Sequence, residues 1–306
     1  MQALRAFRAG IYSTNVHIRT VGLVYLANLL VSVILLLPLA LLLNRSIGHS
    51  VVGEHLASTF DLEVLIDFLN SNSAALETYW TVLGWGTVGY LLLSAFFTGG
   101  ILDSLHSPGR SAYLPRFFGG CGKFFFRFLR LVPYALLCLW GLVWLNGKLN
   151  LLIVRIYDQT VHERDAFWAM RAKQLIMLVL LMLLGAVLDT ARIQAVQLGS
   201  TRMTARFFSS VFLVLRHLPR TLALYSLVTV LGLVCFLPYL FVAHTLLSAG
   251  SVIFLFLVQQ IMMYVRIWWR LCLLAAQMSL VHTGGDAPTA AAFASVLGRT
   301  RLERLS

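Results

Sequence analysis

The run TLALYSLVTVLGLVCFLPYLFVAHTLLSAGSVIFLFLVQQIMMYV, from Thr221 to Val265, carries no charged residue over 45 positions. A helix crosses the roughly 30 Å hydrocarbon core with about 20 apolar residues. The run is twice the length that one crossing needs, so it has to turn back, and the turn is expected between Ala243 and Ser251. Outward from it the same signal recurs. Residues 174–188 are uncharged between Lys173 and Asp189, and 131–147 between Arg130 and Lys148; 78–102 and 21–43 hold no charge at all. The chain is therefore expected to be all-α, a polytopic transmembrane helical bundle of six spans. These fall at about 21–43, 78–102, 131–147, 172–192, 221–243 and 246–268, in a membrane domain over 1–282 followed by a tail over 283–306.

Composition points the same way. Hydrophobic residues make up 59% of the 306, charged residues 12%, and the mean hydropathy is +0.83. Soluble domains carry about 25% charge, and half of that cannot keep a surface of this size in water. The first apolar run exceeds the 7–15 residues of a signal-peptide core and no A-x-A site follows it, so it reads as a retained anchor. Cys121, Cys138, Cys235 and Cys272 form no C-x-x-C pair and are expected as free thiols.

The basic residues set an orientation, because Lys and Arg are retained on the cytoplasmic side. The N-terminal segment, the links after spans two and four, and the end of span six with the tail hold 18 of the 24 Lys and Arg; eight of the twelve acids lie on the other side. Both termini are thus expected in the cytoplasm. The net charge of +12 is then an orientation signal, and no nucleic-acid partner is needed to explain it.

Two outer segments are expected, at 44–77 with a short helix over 59–70, and at 148–173, also helical. The inner links say more. Residues 101–141 align with 187–227 at an offset of 86 without a gap, pairing Asp103 with Asp189, Arg116 with Arg202, Phe126 with Phe212, Arg130 with Arg216 and Pro133 with Pro219. This reads as a parallel internal repeat of spans 2–3 and 4–5. The prolines fit the first turn of each outgoing helix. Asp103 and Asp189 are structural ion-pair candidates with Arg130 and Arg216, since an acid at the membrane face is costly unless paired; alternatively they reach water at the headgroups. Span four has only 15 uncharged residues, so either Lys173 reaches outward or Asp189 is drawn toward the core.

Each inner link is expected as an interfacial amphipathic helix. Lys123, Arg127 and Arg130 share one face of the first, among phenylalanines; Arg202, Arg206, Arg216 and Arg220 form a stripe in the second. Such helices lie in a headgroup layer. They are the candidates for binding membrane lipids of anionic type or a membrane partner subunit, and the same charges also serve simply to orient the chain.

Enzyme signatures are missing. Gly119-Gly120-Cys121-Gly122-Lys123 lacks the first glycine and the Ser or Thr of a phosphate loop. There is no G-x-S-x-G and no H-E-x-x-H. Asp158, His162 and Asp165, at i, i+4 and i+7, are a weak metal-ligand candidate, with an ion-paired solvated face beside Arg155 and Arg164 as the alternative. No cofactor is implied. Gly84, Gly86, Gly89, Ala95 and Gly99 are expected to serve helix packing.

Phe97-Thr98-Gly99-Gly100-Ile101-Leu102, Arg116-Phe117-Phe118-Gly119, Phe128-Leu129-Arg130-Leu131, Asp189-Thr190-Ala191-Arg192-Ile193 and Arg216-His217-Leu218-Pro219-Arg220-Thr221-Leu222 resemble a group of uncharacterised bacterial six-span inner-membrane proteins. These are akin to the membrane domain attached to some glycerophosphodiester phosphodiesterases. The resemblance covers spans two to five. It implies a bacterial inner-membrane location and carries over no catalytic residue. The expected function is a non-enzymatic membrane module that binds lipid or a partner, or assists transport. The alternative is a small-solute permease, and an intramembrane enzyme ranks behind both.

Overall fold

The computed structural model describes residues 2–47, 73–106, 113–157, 163–199, 202–248 and 252–284. The described residues form nine helices and no strand: α1 (Gln2–Val16), α2 (Ile18–Ile47), α3 (Ser73–His106), α4 (Tyr113–Leu129), α5 (Val132–Tyr157), α6 (Glu163–Gln197), α7 (Met203–Arg216), α8 (Leu218–Ser248) and α9 (Val252–Gly284). Among the described residues five segments are long and apolar enough to cross a membrane: Ile18–Pro38, Glu77–His106, Val132–Tyr157, Arg164–Gln197 and Leu218–Val242. The chain is a multi-pass helical membrane protein. The physical need for a bilayer is clearest at α5, which buries none of its residues while exposing Leu137, Trp140, Val143 and Trp144. A soluble protein does not leave such a contiguous apolar surface in water.

The long apolar run resolves as α8 and α9, and the turn expected between Ala243 and Ser251 falls in part on residues 249–251, which lie outside the described residues. α9 is 33 residues long. It is not among the five segments, and Arg266, Arg270 and three glutamines lie along it. The outer segment expected at 148–173 is helical as a continuation of α5 and α6 on either side of 158–162, with Lys173 Nζ donating to Asn150 Oδ1 at 3.1 Å between them. The short helix expected over 59–70 and the tail from residue 285 lie outside the described residues.

The chain divides into two compact units. One comprises Ile18–Phe97 and Val234–Trp268. Within it the Tyr25 hydroxyl donates to Gln260 Oε1 at 2.9 Å, the Tyr25 ring meets Tyr264 edge-on, and a Cβ at Gly86 would strike Leu35. Gly84 and Gly89 face open space, so the packing role expected for them is not seen.

The other unit comprises Met1–His17, Thr98–Leu233 and Trp269–Ser306, and holds the connector helices α1, α4 and α7. Each buries one stripe at helical spacing: Phe7, Gly10 and Thr14 on α1; Phe117, Cys121, Phe124 and Phe128 on α4; Met203, Phe207, Ser210 and Val214 on α7. Close backbone approach demands the glycines here. A Cβ at Gly10 would lie 2.5 Å from Cys272 O, one at Gly99 3.0 Å from Gly120 O, and one at Gly120 2.7 Å from Asp103 Cβ. Residues 119–123 are therefore helical rather than a loop, with Gly120 and Cys121 on the packed side. Pro133 and Pro219 are the second residues of α5 and α8, as expected for prolines of a first turn. Two residues after α6 ends comes Gly199, whose φ of +59° an L side chain adopts only with strain. Its carbonyl accepts from Arg127 Nη1 at 3.0 Å, tying α4 to the α6–α7 link.

Candidate functional site

Asp189, near the end of α6, is 1% exposed and is the centre of the polar cluster in this unit. Its Oδ1 accepts from Arg270 Nη2 at 2.7 Å and Arg192 Nη1 at 3.2 Å, and its Oδ2 accepts from the Tyr225 hydroxyl at 2.9 Å. Three residues, from α6, α8 and α9, thus converge on one carboxylate. The spacing explains the local part, since Arg192 lies three residues on and shares the helix face. Arg270 comes from α9, 81 positions away, its side chain 48% exposed.

A second layer fixes the first. The Tyr225 hydroxyl also lies 2.8 Å from Gln277 Oε1. Gln277 Nε2 donates to Ala186 O at 2.9 Å and to Thr190 Oγ1 at 2.7 Å, and the Thr190 hydroxyl donates to Ala186 O at 2.7 Å. The amide orientation follows from those acceptors. The tyrosine then has one proton for two acceptors, and the charged one makes the stronger bond. Two guanidinium groups surround one carboxylate, so the cluster carries a surplus of one positive charge. Among the described residues Arg192 Nε and Arg206 Nε are buried without a hydrogen-bond partner.

A cleft of about 50 Å³ opens beside the cluster, between α6, α7, α8 and α9. Thr190 and Gln277 line it and belong to the Asp189 network as well. His217, Arg220 and Thr221 supply polar groups where α7 breaks into α8. Leu213, Leu224, Leu280 and Val281 make the rest apolar.

The expected ion pairs are corrected in their partners. Asp189 is paired, but with Arg192 and Arg270; among the described residues neither Arg130 nor Arg216 reaches an aspartate, and both are exposed. Asp103 is half-buried against Gly120 and makes no ion pair among the described residues. At offset 86 the residue matching Arg192 is His106, and the residue matching Gly120 is Arg206. Arg130 also lies outside α4, in the two-residue break before α5, so it does not share a helix with Lys123 and Arg127. Those two flank the Phe124 ring at 5.1 and 5.3 Å. Arg202, just before α7, is exposed and Arg206 on it is half-buried; Arg220 is exposed in the first turn of α8. Asp165 is exposed, and Asp158 and His162 lie outside the described residues.

Outside the spans, burial pushes the Cys121 thiol up to about 11, against Gly100. Sequence reasoning missed Arg192, Arg270, Tyr225, Thr190 and Gln277 as members of the site. The usable signal was polar residues within apolar stretches, such as Gln277 in LLAAQMSL and Tyr225 in TLALYSLV. No protein-family model matches the chain, and no curated protein or solved structure matches it either.

Proposed function

We propose that the protein is a non-enzymatic six-span module of the bacterial inner membrane whose connector helices hold anionic lipid at the cytoplasmic face. One observation carries this reading: the outer faces of α1, α4 and α7 mix cations with large apolar side chains. Arg5, Arg8 and Tyr12 are exposed on α1, Lys123, Phe118 and Phe126 on α4, and Arg202, Phe208 and Phe212 in and just before α7. Phe126 and Phe212 are 70% and 69% exposed. Water would penalise those rings and hydrocarbon would penalise the cations, whereas a headgroup layer accepts both. Each Lys or Arg at an anionic leaflet contributes about 1 kcal/mol.

The same unit recurs. α5 and α8 begin 86 residues apart, at Val132 and Leu218, with matching first bonds, Ala135 N to Leu131 O and Thr221 N to His217 O. The buried stripe of α4 maps onto that of α7 at offset 86 in all four positions. α1 and α2 match α7 and α8 at offset 200, including the one-residue break at His17 and His217 and the burial of Phe7, Gly10 and Thr14 opposite Phe207, Ser210 and Val214. This supports the internal repeat and extends it to a third copy at the N-terminus. α9 completes the sixth span, with its arginines at the inner boundary, and both termini lie in the cytoplasm. The resemblance to the membrane domain of some glycerophosphodiester phosphodiesterases fits this placement.

The test is lipid content. Wild-type protein extracted in mild detergent is expected to co-purify with phosphatidylglycerol or cardiolipin above their bulk fraction. A variant with Arg5, Arg8, Lys123, Arg202 and Arg216 changed to Gln is expected to lose most of that excess while keeping its topology and melting transition. An unchanged lipid profile in that folded variant refutes the reading. A small-solute permease is favoured only if the polar cleft beside Asp189 conducts, which solute flux into proteoliposomes would reveal.

A further inference from the structure

We propose that the cleft between α6, α7, α8 and α9 is a discrete site for one anionic glycerophospholipid, with its phosphate at Arg220 and an acyl chain along Leu213 and Leu280. The proposal rests on the membrane reading above but not on lipid held by the connector faces. Three features argue for it. The cleft is two-sided in chemistry: His217, Arg220 and Thr221 offer donors at the break between α7 and α8, while Leu213, Leu224 and Leu280 offer only apolar wall. That division matches a lipid, which carries charge at one end and hydrocarbon beyond it.

Charge selects the sign of the head. Arg220 is a cation with no carboxylate among the cleft residues. Behind the floor, Asp189 offsets only one of the two guanidinium charges of Arg192 and Arg270. A negative group entering the cleft therefore meets uncompensated positive charge, in a setting where screening by water is reduced. The floor is also set in advance. Thr190 and Gln277 are held by hydrogen bonds to each other and to Ala186 O, so the polar wall does not have to reorganise.

Size decides which part of the lipid enters. A water needs about 10–15 Å³ of such space, so 50 Å³ takes a group with roughly the four oxygens of a phosphate. A whole lipid does not fit, and its chains lie along the open apolar side. The cleft stands at the first turn of α8, where the span Leu218–Val242 begins, which is the depth of a headgroup.

The experiment is native mass spectrometry of the full chain in detergent, titrated separately with dioleoyl phosphatidylglycerol and dioleoyl phosphatidylcholine. The expected result is one tightly retained phosphatidylglycerol and at least tenfold weaker retention of phosphatidylcholine. Arg220→Gln is expected to weaken phosphatidylglycerol about tenfold, and Leu280→Trp to weaken it by filling the wall. Should Arg220→Gln fail to fold, Thr221→Val combined with Leu280→Trp carries the same test. The connector variant with five Gln substitutions is expected to keep this one lipid, which separates the two readings. Equal retention of both lipids, or wild-type retention by folded Arg220→Gln and Leu280→Trp, overturns the proposal. So does a thermal shift from inorganic phosphate alone equal to that from the lipid and indifferent to Leu280→Trp, which would mark a small-anion site.

Discussion

Removing the charge of Asp189 is expected to be the most damaging single change within the polar cluster. Asp189→Asn keeps the shape but leaves Arg192 and Arg270 facing a neutral amide. Breaking a buried pair by removing one partner costs about 3–5 kcal/mol. The carboxylate is 1% exposed, yet the arginine side chains are 22% and 48% exposed and shed part of their charge outward. The loss is therefore set at the lower end, about 3 kcal/mol. At about 2–4 °C per kcal/mol this lowers the melting temperature by about 6–12 °C. Intrinsic tryptophan fluorescence during heating in detergent reads it directly. Asp103→Asn is the internal control, because Asp103 makes no ion pair among the described residues, and it is expected to cost less than half as much. Asp189→Asn combined with Arg270→Gln is expected to lose at least 1 kcal/mol less than the sum of the single changes, as coupled partners do. Additive losses, or equal effects at Asp103 and Asp189, would refute the account of the cluster.

Other outcomes follow from packing, burial and orientation. Gly10→Ala places a Cβ against backbone atoms of Cys272 and Ala276 that cannot move cheaply, and is expected to destabilise by about 1–3 kcal/mol. Gly22→Ala, with nothing within 4 Å, is expected to be neutral or stabilising by up to about 1 kcal/mol in the same melting assay. Cys121, with its thiol pushed by burial to about 11, stays protonated at neutral pH. Its stabilising contribution is complete below the ordinary thiol value of about 8.5 and is lost as pH rises through about 11. Alkylation by N-ethylmaleimide at pH 7.5, followed by peptide mass mapping, is accordingly expected to spare Cys121 in the native protein and modify it after denaturation. For orientation, single cysteines placed in 50–75 or 155–165 are expected to react with an impermeant reagent in intact cells, and those in 106–122 or 196–212 are not.

Much of the helical layout was legible because the bilayer imposes a coarse, local rule. Charge-free runs bounded by Arg130, Lys148, Lys173 and Asp189 locate helices without any knowledge of packing. The placement of Pro133 and Pro219 in the first turns of α5 and α8 is equally local. The site was legible only in part. Asp189 could be singled out, since an acid beside a short span needs a partner. Its local partner Arg192, three residues on, was within reach of helical spacing, but Arg270 lies 81 positions away and only packing brings α9 to α6. Offset matching also misled, as it gave Asp103 and Asp189 the same role. A glycine at 120 lets α4 press against Asp103, and the larger Arg206 stands at the matching place in α7.

The central claim is that the connectors lie in an anionic headgroup layer, and the depth of α4 and α7 in a bilayer tests it most directly. Nitroxide labels on Phe126→Cys and Phe212→Cys, in a background with Cys138 and Cys235 replaced by Ala, would be read by relaxation with oxygen and with a polar nickel chelate. Vesicles of phosphatidylcholine with and without phosphatidylglycerol supply the comparison. The account predicts headgroup-level depth at both positions, deepening when phosphatidylglycerol is present and reversing toward water at high salt, as screened charge requires. Free access of the nickel chelate at both sites, unchanged by lipid charge, would contradict it.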